Sequence, residues 1–172
     1  PDHSQKKLGE EPAPEKVGRD AAPVQPVLEP FFFGPPNRQL FGCYHRPPPE
    51  RLKDMCVLLC YPVGHEYIRC HRALRQLAFG LSAQGYPIRR FDYFGTGDSA
   101  GMMDEAAMAE WVRNVGDAIA QLRGRAGSRS VAVIGLRLGA NLAMSACQQC
   151  GDVDMMVLWD PVQNGDKYIL EK

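Results

Sequence analysis

The chain reads as an α/β protein: a three-layer sandwich with a mostly parallel sheet and an N-terminal antiparallel hairpin. Three observations lead there. Apolar strand-like runs alternate with stretches of helical period, strand, helix, strand, helix, strand, helix, strand, the order that parallel crossovers produce. Two aromatic runs, Phe31 to Phe33 and Leu40 to Tyr44, flank Gly34, Pro35, Pro36 and Asn37, a turn signal between antiparallel strands. Finally, the β-branched run Val131 to Ile134 stops at Gly135, and a helix of small residues opens at Gly139. The glycines bracket a sharp turn where a side chain would collide with a neighbouring strand or helix.

In chain order, residues 1–28 hold many prolines, charges of both signs and no aromatic residue. Such a segment buries too little apolar surface to offset its ordering entropy and is expected to be a disordered tail. The domain is expected over 29–172. After the hairpin and a polar connection, Met55 to Tyr61 is a continuous apolar run, suited to a central strand buried on both faces. Residues 69–84 follow helical period, with Leu74, Leu77, Ala78 and Leu81 on one face. Ile88 to Asp92 form a short strand that enters the glycine-rich loop 93–101. A second helix is expected from Asp104, as N-cap, to Leu122, with the stripe Met108, Trp111, Val112, Val115, Ile119 and Leu122. The strand at 131–134, its helix and a last strand over 153–159 complete the visible order. In such sheets the site lies at the carboxyl ends of the strands, which here means loops 62–67, 93–101, 135–139 and 160–165.

The totals narrow the partners. Basic and acidic residues number 20 each in 172, so there is no excess charge to neutralise phosphates, and nucleic acid is not an expected partner. No apolar run approaches the roughly 20 residues of a membrane helix, and no signal-peptide pattern opens the chain. The first residue is Pro1 rather than methionine, which leaves a lost leader open. The six cysteines are expected to be mostly buried, reduced thiols in a cytoplasmic setting. Cys147 and Cys150 have redox or zinc spacing but no second ligand pair, and they fall at a helix C-terminus rather than the N-terminus that stabilises thiolates. No metal or organic cofactor is expected.

On three loops in the correct order, residues 31–161 resemble the α/β-hydrolase superfamily, in its serine aminopeptidase-like and acyl-esterase-like branch. Tyr61, Pro62, Val63, Gly64, His65 and Glu66 look like the loop that supplies an oxyanion-hole N–H. Phe91 to Ser99 looks like the family's D-x-x-G-x-G-x-S loop, with Gly95 and Gly97 as its glycines. Gly135-Leu-Arg-Leu-Gly139 matches the nucleophile elbow G-x-S-x-G in its glycines. That elbow, followed by Leu158, Trp159, Asp160 and Pro161, is similar to hydrolase-like proteins associated with exosortase systems. The resemblance implies an α/β-hydrolase-like fold and hydrolysis of acyl esters or peptides.

The departures carry as much weight. The nucleophile seat holds Arg137, a permanent cation without a lone pair to offer. The superfamily's triad runs Ser, acid, His along the chain, yet all four histidines precede the elbow. Asp160 could stand as the acid, with no later histidine to orient. The open, apolar strand at Met155 to Trp159 also reads as an exposed edge of the kind proteins cover, which leads us to expect that the domain is C-terminally incomplete. Candidate catalytic residues are therefore Arg137, Asp160 and His65, a loop base beside Glu66. Candidate oxyanion or substrate contacts are Val63, Gly64, Glu66, Leu138, Gly95 and Gly97. Arg137 could clamp a ligand carboxylate or phosphate, or bridge internally to Asp160, Asp92 or Glu66. The expected partner is a small acyl or anionic molecule. The alternative to a hydrolase is a non-catalytic anion-binding or scaffold module, using that pocket or assembling with a second copy through the Met155 to Trp159 edge.

Overall fold

A computed structural model describes residues 26–151 and 153–170. Six strands, β1 (Val27–Phe33), β2 (Leu40–Arg46), β3 (Met55–Cys60), β4 (Ile88–Phe91), β5 (Ser130–Leu136) and β6 (Met155–Trp159), form one sheet in the order β1-β2-β4-β3-β5-β6. The hairpin β1–β2 is antiparallel and joins β4 antiparallel, while β4, β3, β5 and β6 run parallel. The helices are α1 (His65–Ala83), α2 (Met108–Ala126), α3 (Leu138–Cys150) and the short α4 (Gly165–Leu170).

Strand β3 shows why the apolar run needs two covered faces. Cys56, Leu58 and Cys60 share a buried cluster with Trp111, Val115 and Ile119 of α2 and Leu142 and Ala143 of α3. Val57 and Leu59 point the other way, into a cluster with Ala78 of α1. Strict alternation along a pleated strand sends successive side chains to opposite faces, so only a run apolar at every position can fill both. At the far edge, all five residues of β6 are exposed, Leu158 the least at 37% and Trp159 the most at 55%.

Several boundaries differ from the sequence reading. Most of the expected tail, 1–28, lies outside the described residues, but Val27 and Leu28 already pair with Arg46 and His45. The strand therefore starts two residues before the expected domain boundary. Helix α1 begins at His65, four residues earlier than its apolar period, because the apolar residue of its first turn, Ile68, is exposed and lies outside the stripe. Asp104 is not an N-cap. It lies in a 3-10 turn, Met103–Glu105, and α2 starts at Met108 after an uncapped Ala107. Met108 is exposed, outside the buried stripe. Helix α2 also runs past Leu122 to Ala126, through the basic Arg123 and Arg125, which favour a helix C-terminus. Gly127, at φ 62°, closes it in the left-handed conformation. Strand β6 starts at Met155 rather than 153, and α4 had no sequence signal. Among the described residues, no helix is long and apolar enough to cross a membrane.

Candidate functional site

The site is built on the turn between β5 and α3. A Cβ at Gly139 would lie 2.3 Å from the Tyr61 carbonyl oxygen and 2.4 Å from that of Cys60, and a Cβ at Gly135 would lie 2.5 Å from Ala140 Cα. Both glycines are thus required by close backbone approach, one against β3 and one against α3. Between them Arg137 adopts φ 54° and ψ −125°, a conformation that costs a non-glycine residue about 1–3 kcal/mol. Its backbone is held on both sides: its N–H donates to Trp159 O at 3.0 Å, and its carbonyl accepts from Ala140 N–H at 2.9 Å.

The sharp turn lifts the Arg137 side chain above the sheet, into a cluster drawn from three elements. Its Nε donates to Glu66 Oε1 on α1 at 3.0 Å, and an Nη donates to Asp160 Oδ2 at the end of β6 at 3.1 Å. The Tyr168 hydroxyl of α4 donates to the other Glu66 oxygen at 2.9 Å, and its ring lies 5.7 Å from the guanidinium. These contacts act on protonation. The bond from Glu66, followed by the attraction of both carboxylates, holds Arg137 more firmly protonated than usual. Burial and the Glu66 carboxylate push the Tyr168 hydroxyl up, so it stays a donor. Asp160, itself at φ 47°, leads into a loop that Asn141 fixes by two 2.9 Å bonds to the Val162 backbone.

Two recesses flank this cluster. One, of about 370 Å³, is lined by Val63, Gly64, His65, Ile68, Gly95, Gly97 and Met103 among others. The second, of about 420 Å³, is lined by Arg137, Asp160, Asn164, Lys167 and Tyr168 among others. Leu138 lines neither and packs toward the core. His65 is exposed at the start of α1, and no described hydrogen bond joins it to Arg137 or Asp160.

Asp92 is not a partner of Arg137. Its carboxylate accepts from the Tyr67 hydroxyl and from Asp98 N–H, both at 3.1 Å, and burial raises its pKa. It serves as the hub of the glycine-rich loop, where a Cβ on Gly97 would fall 2.1 Å from its Oδ2. Ser99 donates to the Asp92 carbonyl at 2.6 Å and accepts from Phe41 N–H, while Thr96 donates to the Tyr93 carbonyl. Both hydroxyls are therefore occupied in holding the loop. Burial pushes the Cys60 thiol far up and the Cys147 thiol up to about 11, which leaves neither as a thiolate nucleophile at neutral pH. No group of metal-ligating side chains occurs among the described residues. Sequence reasoning missed Tyr168 and Asn141: Asn141 lies in α3 just past the elbow, and only the return of the chain past β6 brings Val162 to it and Tyr168 to Glu66.

Strand order, crossovers and the turn between β5 and α3 together define an α/β-hydrolase fold. Residues 63–171 match the model of the family described as serine aminopeptidase, S33, and the chain belongs to that family. An esterase from Pyrococcus furiosus superposes with a TM-score of 0.67 at 19% identity, covering 82% of this chain and 54% of the esterase. A serine hydrolase without lid from Xanthomonas campestris gives 0.64 at 16%, over 80% of this chain and 62% of its own. A CIB-like hydrolase from Thermoplasma acidophilum gives 0.60 at 18%, over 79% and 64%. The chain thus spans 54 to 64% of these structures. A comparison with curated proteins found no match.

Proposed function

We propose that this hydrolase-family domain binds a small acyl ligand without running serine-triad catalysis. The observation that carries the reading is the state of Arg137: a guanidinium with no lone pair, bonded to Glu66 and Asp160 in the seat where acyl transfer needs a nucleophile. Two carboxylates on one cation also leave little net positive charge for a ligand anion, which favours a neutral acyl group over an anionic one. The recess beside Val63 and Gly64, with Ile68 and Met103 in its wall, supplies the apolar contact. In this reading Arg137 is a clasp that ties α1 to the end of β6 and lines the second, separate recess. The six unpaired cysteines support a reducing, cytoplasmic setting.

The test is a serine-directed fluorophosphonate probe and p-nitrophenyl acyl esters, applied to the chain and to Arg137→Ala. Neither labelling nor turnover above the denatured control is expected, while hexanamide shifts the NMR signals of Ile68 and Met103. Labelling, or turnover that disappears in Arg137→Ala, would refute the reading.

A second reading rests on β6. Five consecutive exposed apolar residues on an edge strand, with no charge, proline or bulge among them, form a pairing surface, and assembly with a second copy would cover it. Light scattering across a concentration series tests this; a monomer at all concentrations removes it.

A further inference from the structure

On the interior strand β4, between β2 and β3, Arg89 is 1% exposed. One of its Nη atoms donates to the Ala118 carbonyl of α2 at 3.0 Å, and its guanidinium lies 4.6 Å and 4.8 Å from the ring centres of Phe31 and Phe33. Its Nε has no partner, and no described carboxylate pairs with it. A buried charge without a counter-ion is costly, and here the rings and one carbonyl offset only part of that cost. The strain shows in protonation: burial first, then repulsion from Arg125, lowers the Arg89 pKa to about 10.

Beside Arg89 lies a groove of about 530 Å³, between Phe31, Phe32 and Phe33 of β1 and the Ala120, Gln121, Gly124 and Arg125 face of α2. Gly124 leaves a gap in that helix face, since a Cβ there would meet nothing within 4 Å. Arg125 stacks its guanidinium 4.9 Å from the Phe31 ring and 4.8 Å from the Tyr44 ring. Arg125 pairs with Glu29, but Glu29 also serves Arg46. One carboxylate is thus shared by two arginines, and Arg89 has none, so the groove keeps excess positive charge against an aromatic wall. We propose that this groove is a binding site for an amphipathic carboxylate. Its ring or short chain lies against Phe31 and the gap at Gly124, and its carboxylate faces Arg125 within the positive field of Arg89. Charge complementarity selects the anion and the aromatic wall selects its apolar body. The site shares no lining residue with the acyl recess.

The experiment is an NMR titration of the full chain with phenylacetate at constant ionic strength, with neutral phenylacetamide as control. Saturable shifts are expected at Phe31, Gln121 and Arg125, with phenylacetamide far weaker. Arg125→Gln should weaken phenylacetate about tenfold, the value of one charge-assisted hydrogen bond. Gly124→Leu should abolish binding while the protein stays folded, because the new side chain enters open space and raises helix propensity. The proposal fails if phenylacetamide binds equally, if Gly124→Leu leaves binding intact, or if millimolar phenylacetate gives no saturable shift. Shifts confined to Ile68 and Met103 would also sink it, placing the ligand in the acyl recess instead.

Discussion

Arg137 stands in a strained turn with two carboxylates on its guanidinium and a side chain 27% exposed, whereas Arg89 sits in a regular strand, 1% exposed, facing aromatic rings and a carbonyl. The first is cheap to keep charged and contributes little, because partly exposed ion pairs are worth about 0–1 kcal/mol. The second is costly to keep charged and is held by what the core offers in place of an acid. Arg90, next in the same strand, gives a third case. It donates to His45 Nε2 at 2.9 Å and to the Tyr61 hydroxyl at 2.8 Å, so a buried histidine stays neutral to accept from it. Across these three, the backbone position says little about how a charge is accommodated; the neighbours brought by other elements decide.

The comparison also separates what shapes the elbow from what decorates it, and mutations can test that division. Gly139→Ala should cost the most, more than about 3 kcal/mol in chemical denaturation, since its Cβ meets two backbone carbonyls that cannot step aside. A smaller loss would mean that the strand ends are not locked by this contact.

Next in size is a pH effect at His45, whose pKa is lowered from 6.5 to about 4, by burial first and then by Arg90 and Arg75. Above pH 6.5 both folded and unfolded states are neutral there and stability is flat. Between 6.5 and about 4 the unfolded chain takes up a proton that the folded one refuses, so stability falls by about 1.4 kcal/mol per pH unit, roughly 3 kcal/mol in all. His45→Phe should remove that slope relative to the parent; parallel curves would show that the histidine is not the group responsible.

Smaller again is the contrast between the two arginines. Arg137→Ala should lose about 1 kcal/mol, with the loss shrinking at high salt. Arg89→Met should stay within about 1 kcal/mol of the parent at any salt, because an apolar replacement escapes the desolvation cost. Equal salt dependence for both would erase the distinction between the two arginines. The finest test is Arg137→Gly, which relieves the positive φ and should recover about 1 kcal/mol relative to Arg137→Ala.

Much of this molecule was legible from residue order. Gly135 and Gly139 mark a close approach that any strand–turn–helix of this shape needs, and the unbroken apolar run of β3 announces two covered faces. Glu66 and Asp160 are legible as carboxylates within reach of Arg137 because they lie in neighbouring strand-end loops. Asp92 satisfies the same criterion and is used otherwise, since Tyr67 and the Asp98 backbone claim it first. Helix starts were harder to read: α1 follows Gly64 and α2 follows Ala107, neither with a side-chain cap, so neither leaves a local signature.

The sequence by itself determined the α/β class, the crossover order and the glycine-bracketed turn with Arg137 at its centre. These follow from periodicity, glycine sterics and side-chain chemistry, all of which act within a few residues along the chain. Only the tertiary structure decided that Arg137 is clasped by Glu66 and Asp160, that Tyr168 closes over that pair, and that Arg89 is buried with no acid beside it. Those outcomes depend on which groups meet across 23 to 102 residues of chain. Coulomb and desolvation energies are set by distance and burial in space, and neither can be read from spacing along the chain.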